Sequence, residues 1–229
     1  KEEKKVQKQE KKAQKAEKHI KERIKKSVRE QYRLCKEKPD KAKDARFNDT
    51  YQHWAKQYIE DMAAVGLLKG YPDGSFKPDQ KLSQAEALSL VMRIAADAAD
   101  VIIIDEDEDK DELDKIPAWV RGDADKACKK GIIKLNRFHS AMQASRAQVA
   151  VMIAKALGLE PVDTSNLPFK DGLLISKEDL GYIIALYEEG IISGSPNGNF
   201  NPNSAITRAE MASILQRLLD LIEDENKGE

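Results

Sequence analysis

Long hydrophobic runs are missing. The unbroken apolar stretches, Val101-Ile102-Ile103-Ile104 among them, fall far short of the roughly 20 residues that a membrane-crossing helix needs, so no membrane span is expected. Cysteine is scarce. Cys35 and Cys128 are too few for a disulfide scaffold. Neither sits in a CxxC or near a histidine at metal-ligand spacing, so they read as two unrelated thiols, with their pairing left open. The three histidines, His19, His53 and His139, are isolated from one another. GxSxG, HExxH and phosphate-loop glycine patterns are all absent. No catalytic residue, metal or cofactor is therefore expected, and the chain reads as a non-enzyme. Aromatics make up only 6%. The N-terminus carries no secretory signal and begins at Lys1 without methionine, which fits a chain whose leader has been removed.

What is present is charge, unevenly spread. Residues 1–46 hold 19 basic and 9 acidic side chains; the remainder holds 20 basic and 31 acidic. A basic arm is joined to an acidic body, which bears on partners rather than on fold. Residues 1–36 contain no glycine or proline and are rich in helix formers. Ala13, Ala16, Ile20, Ile24, Val28, Tyr32 and Cys35 recur at spacings of three and four, one narrow helical stripe. The arm, residues 1–38, is expected to be a charged helix ended by Lys38-Pro39. Its open readings are a solvated docked helix, a coiled-coil seam, or a handle for a protein or anionic polymer partner. It lacks aromatic interleaving beyond Tyr32, and no nucleic-acid partner is expected. A second charged run, Asp105 to Asp114, has eight carboxylates in ten residues. It fails the calcium-loop pattern, with Lys110 at the glycine position and Ile116 at the closing glutamate, and reads as a solvated linker over 99–113.

Internal similarity organises the rest. Residues 66–86, GLLKGYPDGSFKPDQKLSQAE, align without a gap on residues 190–210, GIISGSPNGNFNPNSAITRAE. A worn third copy lies between them. Trp119 stands 12 residues before Gly131, as Trp54 does before Gly66, and Phe138 precedes Ser145-Arg146-Ala147-Gln148 as Phe76 precedes Ser83-Gln84-Ala85-Glu86. Its turn is three residues shorter. Copies one and three each read as an amphipathic helix ending at a glycine C-cap, then a Pro-Asp/Asn-Gly turn, then a helix opened by a capping box, Ser83 with Glu86 or Thr207 with Glu210; copy two keeps the helices with Leu135-Asn136-Arg137 in place of the turn. Units this small must stack around a shared core. The fold class expected is all-α with long ordered loops, with units at 47–98, 114–160 (degenerate) and 167–222.

These strings resemble the S-layer homology (SLH) family. Copy one carries Phe47, Asp49, His53-Trp54-Ala55 and Gly70-Tyr71-Pro72-Asp73-Gly74-Ser75-Phe76-Lys77-Pro78; copy three carries Phe169, Asp171, Gly194 to Pro202, and Ile206-Thr207-Arg208-Ala209-Glu210. The resemblance implies a pseudo-threefold assembly of helix–loop–helix units around a helical bundle. It implies non-covalent attachment of a bacterial surface protein to wall polysaccharide, outside the cell, in grooves between units. Pyruvylated sugar is the implied ligand. The implied contacts are Thr207 and Arg208, Ser145 and Arg146, Asp49, Asp114 and Asp171, Trp54 and Trp119, Gly70, Tyr71 and Gly194, with Gln84 in the arginine position of copy one. A guanidinium meets a ketal carboxylate with two parallel hydrogen bonds, an aromatic face gives a sugar apolar contact, and a glycine admits close approach. No copy is complete: Gln84 replaces an arginine, copy two lacks the Gly-Tyr-Pro-Asp-Gly loop and has Gln148 for glutamate, and copy three has Glu178 and Ser195 in place of Trp and Tyr. Arg208 ranks first as a binding residue and Arg146 second. The alternative is an SLH-derived scaffold with relaxed sugar binding.

Overall fold

The computed structural model describes residues 46–94 and 110–223. The helical arm expected over 1–38, with Cys35, and the linker as far as residue 109 lie outside the described residues. Within them the chain is helical, without a strand: α1 (Lys56–Ala64), α2 (Gln84–Ile94), α3 (Lys110–Asp114), α4 (Ala118–Lys129), α5 (Arg146–Ala156), α6 (Lys177–Glu188) and α7 (Arg208–Glu223). The all-α expectation holds. The end of the linker differs from expectation: Lys110–Asp114 is the short helix α3, packed on α4 and on the 3-10 turn Leu135–Arg137.

Local signals set the helix ends. Gly66, Gly131 and Gly190 lie at φ 77°, 68° and 73° just past α1, α4 and α6, the left-handed geometry a glycine C-cap supplies. The second helices open on reciprocal caps. Glu86 Oε2 accepts from the Ser83 N–H while Ser83 Oγ accepts from the Glu86 N–H, and Thr207 with Glu210 and Ser145 with Gln148 repeat the exchange. Each such cap contributes about 1 kcal/mol.

The units close through one triangle of backbone bonds. The Leu82 N–H donates to Ile206 O, Ala144 N–H to Leu82 O, and Ile206 N–H to Ala144 O, at 2.9–3.0 Å. These three positions stand 62 residues apart in the chain. The next residues repeat the cycle: Gln84 to Met142 O, Arg146 to Ser204 O, and Arg208 to Gln80 O. The result is a threefold arrangement, in which the short segment before each second helix satisfies its neighbour's backbone groups instead of leaving them buried and unpaired.

The units are not self-contained hairpins. First helix α4 packs on α2 of the unit before it, α6 packs on α5 of the unit before it, and α1 packs on α7 to close the ring. The second helices form the centre, with Leu88, Val91, Val149, Ile153, Met211 and Leu215 buried. Each large apolar side chain so buried stabilises by about 1.5–3 kcal/mol. Phe76, Phe138 and Phe200, again at 62-residue spacing, are buried beneath the three loops.

Candidate functional site: the grooves between units

The loops are held from within. Asp49 Oδ1 and Oδ2 accept from the N–H groups of Phe76 and Lys77, at 2.8 and 2.7 Å. Asp171 accepts from Phe200 and Asn201, both at 2.7 Å. Lys77 and Asn201 sit at φ 57° and 61°, a strained setting for a residue with a side chain that the carboxylate clamp maintains. Asp114 has no such loop contact; it lies 3.5 Å from Arg121 and is exposed. In the middle unit the equivalent amide, His139 N–H, donates to Gln84 Oε1 at 2.9 Å. Gln84 is thus buried and spent on the loop that the middle unit's own aspartate does not hold. The loop glycines also serve packing. A Cβ on Gly70 would overlap the Phe47 ring and stand 2.9 Å from Ser75 O, and one on Gly194 would meet Phe169 at 3.2 Å. Thr207 is buried and Ser145 half-buried, both occupied as N-caps.

Arg208 and Arg146 reach across unit boundaries, with different outcomes. Arg208 Nε donates to Phe76 O at 2.8 Å and Nη2 to Lys69 O at 2.7 Å. Its guanidinium lies over the rings of Phe76 and Tyr71, at 4.3 and 5.1 Å, while Tyr71 donates its hydroxyl to Gln80. It staples the third unit to the first. Arg146 Nη2 donates to Ser193 O at 2.8 Å, and Nη1 stands 3.7 Å from Glu210 Oε1. Its Nε is buried without a partner. Burial pushes both guanidinium groups below the ordinary arginine value; beside Arg146, Glu210 opposes that shift and Arg217 adds to it.

A groove of about 270 Å³ opens at Arg146, where three units meet. The middle unit contributes Arg146; the third unit contributes the loop from Ile192 to Asn201 and the α7 side chains Glu210, Ser213 and Arg217; the first unit contributes Trp54. Trp54 is 60% exposed. Arg217 Nη1 donates to Ser193 Oγ at 3.0 Å. Two guanidinium groups against one carboxylate leave the groove cationic, serine hydroxyls supply polar contacts, and an indole face stands at the edge. This set suits a sugar that carries an anionic group. Arg217 is invisible to the motif because it lies seven residues beyond Glu210, outside the matching string; the α-helical period alone puts it on the same face.

The threefold-related groove at Gln84 is larger, about 560 Å³, and the middle loop beside it is three residues shorter. Its lining differs at each related position: Gln84 for arginine, apolar Val151 for Ser213, Lys155 for Arg217, and Glu178 where Trp54 stands. Exposed Met142 and Leu174 extend it. The third groove, at Arg208, has Tyr71, Glu86 and Arg93 in the related positions, with Arg93 Nη1 bonded to Leu67 O. Trp119, the partner of Trp54 in the sequence pattern, is 61% exposed. Both indoles are surface residues, not core anchors. Among the described residues no cluster of His, Cys, Asp and Glu is arranged to hold a metal, and no helix is long and apolar enough to cross a membrane.

Residues 46–88 and 168–212 match the family profile of the S-layer homology domain. The first and third repeats are therefore similar to S-layer homology domains. The segment between the two matched stretches has the same helix–loop–helix build and joins the same backbone triangle. Similar proteins include an amylopullulanase of Thermoanaerobacterium thermosulfurigenes, 27% identical over 77% of the chain and 10% of that protein. A surface-layer 125 kDa protein of Lysinibacillus sphaericus is 27% identical over 74% of the chain and 14% of its own length. A cellulosome-anchoring protein of Acetivibrio thermocellus is 44% identical over 20% of the chain and 10% of its own length. The chain therefore spans a small part of the relatives it matches.

Proposed function

We infer that the chain anchors a bacterial surface protein to the cell wall, outside the cell, by holding wall polysaccharide non-covalently in the grooves between its repeats. The observation that carries this reading is the convergence, in one groove, of Arg146, Trp54 and the Ser193–Asn201 loop from three different units. The surface-layer and cellulosome-anchoring relatives support the setting. The bound group is a pyruvate ketal: its carboxylate faces Arg146 and Arg217, and the ring that bears it lies against Trp54. The Arg146 groove is the principal site and the Arg208 groove a weaker one, since Arg208 has already spent two donors on backbone carbonyls. Several such contacts along one polymer add by avidity.

Calorimetric titration of the intact chain with a pyruvylated wall-sugar fragment, beside the same fragment without pyruvate, tests this. Saturable binding that needs the pyruvate and is lost in Arg146→Gln is expected. Binding of neither fragment, with no retention on isolated walls, would overturn the anchoring reading.

A second reading, in which one groove has turned from sugar to protein contact, is favoured by one observation only: the Gln84 groove has exchanged its arginine and tryptophan for Gln84 and Glu178, beside exposed Met142 and Leu174.

A further inference from the structure

The three first helices differ in the residue one helical turn beyond the groove edge. Four residues after Trp54 comes Tyr58; four after Trp119 comes Asp123; four after Glu178 comes Tyr182. Residues four apart share a helix face, and Trp54, two residues ahead of α1, still meets Tyr58. Tyr182 is half-buried beneath Lys155, whose Nζ lies 5.1 Å from its ring centre. Tyr58 is 38% exposed and touches Trp54 edge to face, with ring centres 6.3 Å apart and planes at 69°. Its helix α1 lies along α7, the helix whose Ser213 and Arg217 line the Arg146 groove. Among the described residues, an exposed aromatic pair thus leads away from that groove and from neither of the other two.

We propose that Trp54 and Tyr58 form a two-ring platform, so that the Arg146 groove takes an oligosaccharide and not a single sugar, with Tyr58 the subsite for a neutral pyranose next to the charged one. This rests on the polysaccharide reading above and adds to it a subsite and a shape. The faces of the two rings are turned 69° from one another, so a saccharide lying on both must turn between its successive rings. A flat ribbon can cover one face but not both. The ligand class is a kinked wall oligosaccharide that runs from the groove mouth along α1. The contact is apolar, an aromatic face against the axial C–H groups of a pyranose, so the Tyr58 hydroxyl is not required.

The test is calorimetric titration of the intact chain, as wild type, Tyr58→Ala and Tyr58→Phe. The probes are size-fractionated fragments of Lysinibacillus sphaericus wall polysaccharide, one ring against three or more, with cellohexaose as the flat ribbon. Wild type should gain affinity from one ring to three. Tyr58→Ala should bind the longer fragments about 3- to 10-fold more weakly and the single ring unchanged, with Tyr58→Phe within about twofold of wild type. Equal affinity of Tyr58→Ala and wild type for long fragments would overturn the platform, as would an equal loss on the single ring. Cellohexaose bound as tightly as the long wall fragments would overturn the kinked class. A wild type that binds no fragment of any length overturns the polysaccharide reading and the platform together, whereas fragment binding indifferent to Tyr58 overturns the platform alone.

Discussion

Removing the Arg208 side chain should damage the fold more than it damages ligand binding. Arg208→Ala deletes two short bonds from a guanidinium to the carbonyls of Phe76 and Lys69, 132 and 139 residues away in the chain. A hydrogen bond to a charged group contributes about 1.5–3 kcal/mol net, and the cation–π contact to Phe76 adds about 0.5–1 kcal/mol. The Lys69 bond is exposed, so water replaces part of what is lost. The sum is about 2–4 kcal/mol. Arg146→Ala removes one comparable bond, to Ser193 O, a looser contact 5.0 Å from the Phe200 ring and the 3.7 Å approach to Glu210, but also relieves a buried Nε that has no partner, and should cost less, about 1–3 kcal/mol. Urea unfolding of both variants, with unchanged slopes, measures the difference. At about 2–4 °C per kcal/mol for a body of this size, Arg208→Ala should lower Tm by about 4–16 °C. The order reverses for ligand: folded Arg208→Ala keeps the Arg146 groove, and Arg146→Ala loses it. Equal or greater destabilisation by Arg146→Ala, or a cost below about 1 kcal/mol for Arg208→Ala, would refute the assignment of one arginine as staple and the other as ligand contact.

The remaining expectations concern the loops and the related grooves. Asp171→Ala removes a carboxylate that accepts two backbone N–H groups beside a left-handed asparagine, and should cost about 3 kcal/mol in urea unfolding. Gly70→Ala should cost clearly more than Gly194→Ala in thermal unfolding, since the added Cβ overlaps the Phe47 ring in the first case and only crowds Phe169 in the second. Gln84→Arg should give no further site in calorimetric stoichiometry, because Glu178 still stands where a tryptophan is needed. It should also destabilise by about 1–2 kcal/mol by releasing His139 N–H. The Ser75 hydroxyl and N–H hold the Asp73 carboxyl below the ordinary aspartate value. Its small contribution is therefore present above that value and lost as pH falls through the lowered one; a carboxyl NMR titration should show the low midpoint and its return toward normal in Ser75→Ala.

Much of the local architecture is legible in the residues alone. The C-cap glycines, the Pro-Asp-Gly and Pro-Asn-Gly turns and the capping boxes act over a few residues through backbone geometry, and all stand where their spacing puts them. The spacing also reveals the middle unit, because Phe138 and Ser145 keep their interval although the loop before Phe138 is shorter. The roles of the motif residues are far less legible. By residue type, Asp49 and Asp171 suit a sugar or a helix end; in the fold they clamp the loops. Trp54 and Trp119 suit the core as well as the surface, and both lie on the surface. Arg208 ranks above Arg146 on its complete motif, yet completeness of a string says nothing of which donors the fold has already used.

The two main helices of each repeat, their ends and the repeat itself can be read from the residues, since each depends on neighbours within one turn or one loop. Tertiary structure decided which helix packs on which, and therefore what a groove contains. α1 lies on α7 and not on α2, so Trp54 shares its groove with an arginine from the middle unit and a loop from the third. That pairing is set by closing three backbone bonds and burying three apolar helix faces at once, a condition on the whole ring that no single copy of the repeat can express.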